Sequence, residues 1–480
     1  MTGSDHEMEE QNKKVVIVGG GITGLTAAFY LQKEVAEKGL DVEILLIEAS
    51  NRLGGKIQTV RRDGFIIERG PDSFLIRKKS MDILAKDLGV DDQLVRNATG
   101  QAYVLVNDKL HPIPAGSVMG IPTQMGPFFK SDLFSVAGKL RAAGDIVLSR
   151  SGVDGDQSLG SFFRRRFGGE LVENLIEPLL SGVYSGDIDH MSLEATYPQF
   201  YAVEKKHRSL ILGMKKTTPK QVPQKNGHGA SKEGAFHSFR YGLETIVEAA
   251  ERALKPDMVL KGVRVERIEQ TDDQSVLHLN NGRKVTADAV ILTTDHVTTS
   301  QLFASHGVLQ GLGDIPTTSV ATVALAFPEE AVVQDMEGTG FLVSRRSDYS
   351  ITACTWVHRK WPTTTPAGKV LLRAFVGKVG DETIVDLPDE EIEKIVLADL
   401  SRIITIKGKP DFSVITRFKE DRPQYRVGHK ERIRTARAEL QQKFPNIKLA
   451  GASYDGVGLP DCIDQGKAAV EEVLVDLFKK

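Results

Sequence analysis

The chain has 480 residues, of which 62 are basic and 64 acidic, and 41% are hydrophobic. That length suits two or three domains, and the balanced charge argues against nucleic-acid binding or an acidic tail. Two cysteines, Cys354 and Cys462, are too few for a disulfide framework or a zinc site, and suit a reducing compartment. Met1 to Asn12 is short and polar and lacks the apolar core of a signal or transit peptide. No apolar run reaches the length of a membrane span, which leaves peripheral membrane contact open.

Val15 to Val18 is a β-branched run that reads as a buried strand. Gly19, Gly21 and Gly24 follow in G-x-G-x-x-G spacing, with Gly20, Ile22 and Thr23 between them, and Leu25 to Lys33 is helical in character. Strand, glycine turn and helix form the context that a dinucleotide fingerprint requires. The first glycine permits the tight turn, the second lets the backbone approach a pyrophosphate, and the third lets helix and strand pack closely. The helix N-terminus offers N–H groups and a positive dipole end to phosphate. Val42 to Ile47 reads as the next parallel strand, with Glu48 at its end, 24 residues past Gly24. A carboxylate there can accept ribose hydroxyls and would repel a 2′-phosphate. A glycine turn that binds nothing explains fewer of these features.

Ala49 to Lys56 brings a second glycine pair, Gly54 and Gly55, near the ribose carboxylate, and Arg52 is placed to meet a phosphate. The pair favours a larger cofactor, FAD over NAD, although a plain turn into the next strand also fits. Phe65 to Phe74 reads as a strand ending in a turn at Gly70-Pro71-Asp72-Ser73, with Asp72 or Ser73 placed to cap a nearby helix. Arg77, Lys78 and Lys79 follow; such a triplet is either a solvated face or a contact for an anionic substrate.

Ala102 to Val106 reads as a strand, and Phe128 to Leu148 and Leu159 to Leu180 as helical, with Arg164-Arg165-Arg166 on an exposed face. The stretch 101–210 is thus expected to be a helical subdomain, closed by the glycine-broken SGVYSGD loop at Ser181 to Asp187. Lys205 to Ala235 is polar and basic and reads as a mobile loop, with 211–235 as its core. Its Lys205, Lys206, Arg208, Lys215 and Lys216 are either solvated or line the mouth of a polycarboxylate pocket.

Beyond it, Gly242 to Leu254 reads as a helix, and Val263 to Ile268 and Ser275 to Leu279 as strands, with Asn281-Gly282 as a hairpin turn. Ala289 to Leu292 is a further buried strand. Residues 317–327, 340–344, 350–356 and 370–376 alternate like an antiparallel sheet, and Glu390 to Ile404 is helical. Ile447 to Ala450 is a strand, Gly451 to Cys462 a glycine-rich loop, and Gly466 to Leu477 the last helix.

GGGITG, EAS-x-R-x-GGK, ERGPDSF, SGVYSGD and GASYDGVGLPDCI together resemble the protoporphyrinogen and coproporphyrinogen III oxidases, in their soluble Gram-positive form, from about Lys13 to the C-terminus. The resemblance implies an α/β, flavin amine oxidase-like fold. Its FAD-binding domain would be built from 1–100, 236–297 and 426–480, with an antiparallel-sheet substrate domain at 298–425 and a helical insertion at 101–210 that docks on the bilayer in membrane-attached relatives. It implies non-covalent FAD, with Gly19 to Gly24 on the pyrophosphate and Glu48 and Ala49 on the ribose. Arg52, Gly55, Lys56 and the Gly70, Pro71, Asp72, Ser73 turn would lie along the cofactor, Lys56 and the turn on its isoalloxazine side. Val265 would meet adenine, and Val457, Gly458 and Leu459 would close over the flavin. Phe418 stands where the family commonly has Trp. Lys78, or Arg77 beside it, would pair with a substrate propionate, and Gly340 would lie above the macrocycle.

The implied reaction removes six electrons from coproporphyrinogen III, with molecular oxygen as acceptor and hydrogen peroxide as product, in haem biosynthesis. Protoporphyrinogen IX is expected as a second substrate. The chain shows no nucleophile triad, metal-ligand set or acid/base dyad, so no catalytic side chain is assigned. Peripheral membrane contact, haem-pathway enzymes as partners, a cytoplasmic location and a monomeric or homodimeric state complete the expectation. Alternatives are a mainly protoporphyrinogen-directed enzyme, an amine oxidase or phytoene desaturase of the same fold, or a non-catalytic nucleotide-binding sensor. An amine oxidase needs an aromatic cage, and no Trp/Tyr pair marks the C-terminal loop.

Overall fold

A five-stranded parallel sheet carries the N-terminal fingerprint in the computed structural model, which describes residues 12–217, 234–333 and 337–478. Its order is Val259–Lys261, Val42–Glu48, Lys13–Val18, Ala289–Leu292, Ile447–Leu449. In chain order of its own strands this is 3-2-1-4-5, the doubly wound arrangement whose ligands sit beyond the strand C-termini. The central strand pairs Val15 with Ile44 on one side and Ala289 on the other. Val15, Val16 and Ile17 are fully buried, as expected of a strand covered on both faces.

The helix Ile22–Lys38 buries its first ten residues, Ile22 to Leu31, and its polar end runs into solvent. It packs along the last helix, Leu459–Phe478, at Gly466, where a Cβ would come within 2.6 Å of the Thr23 carbonyl oxygen. The two chain ends are thereby locked beside the same sheet. A three-stranded antiparallel sheet, Val265–Gln270, Ser275–Leu279 and Lys284–Ala287, stands next to it, with the turn at Asn281-Gly282.

The second large sheet has seven strands, in the order Phe412–Pro423, Thr317–Pro328, Lys369–Val376, Ile351–Trp356, Gly340–Val343, Tyr103–Val106, Lys109–Pro112. The last two come from the start of the 101–210 stretch, where Ala102 to Val106 is expected as a strand. Tyr103–Val106 pairs in parallel with Gly340–Val343, so it belongs to the sheet rather than to the helices.

The helical unit has its own core, with Phe162, Phe163, Phe167, Phe200 and Tyr197 among its buried side chains. Three expectations need correction here. The expected Phe128–Leu148 helix is two short helices, Met125–Lys130 and Val136–Ala143, with a break in which Ser135 caps the second. Arg166 is not on an exposed face: it is fully buried, with Nη1 2.9 Å from Asp145 and Nε 3.0 Å from Glu204, both carboxylates also buried. Residues 205–217 are not a loop but run through two helices, Pro198–His207 and Leu210–Thr217. Their basic composition hides an apolar face, because Leu210, Ile211 and Met214 are buried in the helical core. The rest of that expected loop, 218–233, lies outside the described residues.

Candidate functional site

The glycine turn leaves room on one side and none on the other. Gly19 adopts φ +105°, and its carbonyl, with that of Val18, accepts from Thr293 Oγ1 at 2.9 Å. A Cβ on Gly20 would strike Leu53 at 2.6 Å, and one on Gly24 the Gly19 carbonyl oxygen at 1.9 Å. Gly21, by contrast, faces open space. It is the N-cap of the helix, and no side chain caps the N–H groups that follow. The helix end is therefore free to meet an anion. Ile22 and Thr23, the first helical residues, are buried behind that end.

Glu48 sits at its strand end and accepts from the N–H of Gly20 at 2.6 Å and of Ser50 at 2.7 Å. Its backbone carbonyl accepts from Val263 N, which brings the strand beginning at Val265 alongside. Ala49 is the residue between. Gly54 and Gly55 both have positive φ, and Gly55 stands close enough that its Cβ would be 3.2 Å from Gly21 Cα. Arg52 departs from expectation. Its guanidinium donates to the carbonyls of Gly55, at 2.8 Å, and Ile57, so it braces the second glycine turn from within rather than reaching out for a phosphate.

Lys56, Gly70 and Phe418 meet in space. A Cβ on Gly70 would fall 1.9 Å from the Lys56 carbonyl oxygen and 3.8 Å from Phe418 Cζ. Lys56 Nζ donates to the Asp421 carbonyl at 2.7 Å and pairs with its carboxylate at 3.0 Å. Asp72 and Ser73 do not cap a helix. Asp72 accepts from Ser73 Oγ at 2.7 Å and from Lys360 Nζ at 2.7 Å, while the next helix, Ser80–Asp87, has no side-chain cap. Pro71, between Gly70 and Asp72, is half-buried.

Lys78 is ion-paired with Asp461, in the first turn of the last helix. This ties the basic triplet to the C-terminal glycine loop. Asp461 also fills the space beside Gly456 and Gly458, where added Cβ atoms would lie 2.9 and 2.6 Å from it. Val457 packs on the helical core and Leu459 on the parallel-sheet core, so this loop sits at the seam between them. Tyr425 holds it: the phenol accepts from Gly456 N and donates to the Ala452 carbonyl, both at 2.9 Å, while its ring stacks 3.8 Å from His429.

Arg77 is exposed and has no ion-pair partner among the described residues. Gly340 has φ +131° and opens its strand, where a Cβ would lie 2.1 Å from the Cys354 carbonyl oxygen. That steric demand alone requires glycine. The basic residues farther on have contacts within the helical unit: Lys205 over the Tyr201 ring and Arg208 on the Ile146 carbonyl. Lys206, Lys215 and Lys216 are exposed.

Residues 22–474 match the family described as flavin-containing amine oxidoreductase. The chain is 55% identical to the coproporphyrinogen III oxidase of Bacillus subtilis (strain 168), covering 98% of this chain and all of that one. It is 44% identical to the coproporphyrinogen III oxidase of Staphylococcus aureus, covering 97% of this chain and all of that one. The chain belongs to the porphyrinogen-oxidase branch of the flavin-containing amine oxidoreductases. A crystal structure from Exiguobacterium sp. 255-15, provisionally assigned as a protoporphyrinogen oxidase, shares its fold with a TM-score of 0.86 at 41% identity, over 97% of this chain and 99% of that one.

The cofactor of this flavin-containing family member is FAD, and the residues present fit it. The open face of Gly21, the uncapped helix end and the nearby Glu48 carboxylate suit a pyrophosphate and a ribose. Three residues of this porphyrinogen-oxidase family member escaped the sequence reading. Thr293 locks the first turn, Lys360 neutralises Asp72, and Arg373 donates to the Gly70 carbonyl. Arg373 and Lys360 lie roughly 300 residues beyond their partners, and no local pattern marks them.

Proposed function

We infer that this chain is an FAD-dependent oxidase that converts coproporphyrinogen III to coproporphyrin III in haem formation, and also accepts protoporphyrinogen IX. The observation that carries this is 55% identity over the whole length of a coproporphyrinogen III oxidase, with the glycine cradle intact. Three molecules of dioxygen take up the six electrons and six hydrogens as three of hydrogen peroxide. When bound, FAD supplies the hydride acceptor.

The chain's own residues bind, orient and exclude. Gly19 to Gly24 hold the pyrophosphate, Glu48, Ala49 and Val265 the adenosine, and Gly55 and Arg52 the second turn against the cofactor. Lys56, Gly70 to Ser73 and Phe418 form one wall of the ring site, and Val457 to Leu459 the other. Lys78, with Arg77 beside it, meets a substrate carboxylate. Its half-exposed pair with Asp461 supports this, since such a pair is weak enough to be exchanged for another carboxylate. Gly340 borders the macrocycle.

The protein works in the cytoplasm as a monomer or homodimer and hands its product to other haem-pathway enzymes. Among the described residues no helix is long and apolar enough to cross a membrane. Phe129, Val136 and Leu140 on neighbouring short helices, and Val147 in the turn that follows them, are nonetheless exposed, at 43%, 73%, 62% and 77%, which supports peripheral contact with a membrane surface.

The test is a fluorescence assay of FAD-loaded protein on anaerobically prepared coproporphyrinogen III and protoporphyrinogen IX, with dioxygen then admitted. Faster porphyrin formation from the four-propionate substrate is expected. No oxidation of either would overturn the reading.

A further inference from the structure

Behind the Gly70–Ser73 turn lies a buried charge cluster whose Arg373, Lys360 and Glu68 the function above does not use. Arg373, in the middle of the large sheet, is only 3% exposed. Its Nη2 donates to the Gly70 carbonyl and reaches the Arg69 carbonyl at 3.4 Å. Its Nε has no hydrogen-bond partner, and the residue lines a small cavity of about 20 Å³ shared with Glu68, Asp72 and Ser238. Thr322 Oγ1 reinforces the same stretch by donating to the Arg69 carbonyl at 3.1 Å.

The charges in this cluster are arranged rather than scattered. Asp72 receives Lys360 Nζ at 2.7 Å. Burial alone would raise its carboxyl, but Lys360 and then Arg373 hold it well below the usual carboxylate range. Glu68 faces the same cavity, with hydrogen bonds from Leu243 N at 2.6 Å and Thr59 Oγ1 at 2.9 Å. Burial pushes it up to about 7 against those bonds. A buried guanidinium is costly to desolvate, and a sheet interior is more cheaply filled by an apolar side chain. An arginine whose Nη2 holds the Arg69 and Gly70 carbonyls fixes the start of that turn and places a cation directly behind it.

We propose that Arg373 is a positioning residue for the bound flavin, which fixes the Gly70–Ser73 turn and, opposed by Asp72, sets how readily the flavin accepts electrons. This rests on the FAD site assigned above. Charge behind the turn is screened little in this buried setting, so a nearby cation favours the more negative, reduced cofactor and a nearby anion opposes it.

The experiment compares purified holoprotein carrying Arg373→Met, Arg373→Lys or Asp72→Asn with the parent. The readouts are the two-electron reduction potential of the bound flavin, by equilibrium dye titration, and its visible absorption. Arg373→Met is expected to lower the potential and Asp72→Asn to raise it, each by about tenfold in the reduction equilibrium, or about 30 mV for two electrons. Arg373→Lys keeps the charge and loses the planar fork, so its potential returns toward the parent's while FAD is held less tightly. Opposite shifts support the proposal, because a purely structural role moves both variants the same way or neither. Unchanged potentials, or shifts of the same sign, overturn it. If Arg373→Met does not fold, Asp72→Asn decides alone: a rise supports, no change refutes. A parent protein that binds no FAD would instead sink the cofactor assignment itself.

Discussion

Gly24 lies so close to Gly19 that a Cβ on it would sit 1.9 Å from the Gly19 carbonyl oxygen. The helix and the strand beside the phosphate cradle approach as far as backbone allows. Gly24→Ala must therefore push the helix N-terminus away from the strand end. Overpacking of this kind costs about 1–3 kcal/mol. We expect the purified variant to lose most of its bound FAD and to melt several degrees lower. Full retention of yellow colour through gel filtration would contradict this.

Glu48 holds Gly20 and Ser50 by their N–H groups, at 2.6 and 2.7 Å, and in the proposed site the rest of its carboxylate meets a ribose. Hydrogen bonds to a charged group are each worth about 1.5–3 kcal/mol. Glu48→Ala is expected to weaken FAD binding by about 10- to 100-fold, read from the fluorescence of free FAD in equilibrium dialysis. An unchanged dissociation constant would remove Glu48 from the site.

The buried Arg166 lies between two buried carboxylates, Asp145 and Glu204, and Asp145 also accepts from Ser209 Oγ at 2.6 Å and Ile211 N at 3.0 Å. Removing the cation strands Asp145 in the helical core and leaves Glu204 with the more distant Arg165, at 3.6 Å. Arg166→Met should cost about 3–5 kcal/mol in urea unfolding. Because this network is remote from the glycine turns, the FAD retained per folded molecule should not change. A variant as stable as the parent would show that the network adds nothing.

His429 stacks on Tyr425 and donates from Nε2 to the Tyr454 carbonyl at 2.9 Å. Burial pushes its imidazole down from the ordinary 6.5 to about 4, against that hydrogen bond. The unfolded chain then takes a proton at a pH where the folded one does not. Stability is full above pH 6.5 and falls as the pH drops toward 4, by on the order of 3 kcal/mol. Melting temperatures from pH 7.5 to 4 should show a decline that is shallower in His429→Gln. Because Tyr425 also holds Gly456 N, FAD release is expected to accompany it. Identical slopes in both proteins would assign the acid loss elsewhere.

The glycine fingerprint, the strands on either side of its helix and the Glu48 strand end were legible because each depends on residues close in sequence. Alternation also revealed most strands of the large sheet. What stayed hidden depends on distance. The parallel pairing of Tyr103–Val106 with Gly340–Val343 has no local signal. Neither has Arg373 beneath Gly70, since an arginine in an apolar strand reads as an exposed residue until the sheet above it is known. Composition misled twice. Lysines at 205–216 masked a helical face, and the Arg164–Arg166 run concealed that Arg166 points inward.

Lys78 and Asp461 offer the sharpest separation of substrate binding from catalysis. Their pair is half-exposed, at 38% and 28%, and joins the basic triplet to the loop between the two cores. Such a pair contributes about 0–1 kcal/mol, so a substrate carboxylate can replace Asp461 at small cost. Lys78→Met removes the cation and should raise KM for coproporphyrinogen III about fivefold with kcat little changed. Asp461→Asn frees the lysine and should lower KM by a similar factor. The two effects should shrink for protoporphyrinogen IX, which has fewer carboxylates to offer. Steady-state assays of both variants on both substrates check this. Equal losses of kcat in the two variants would make the pair a strut for the C-terminal loop, and the propionate contact would then fall to Arg77.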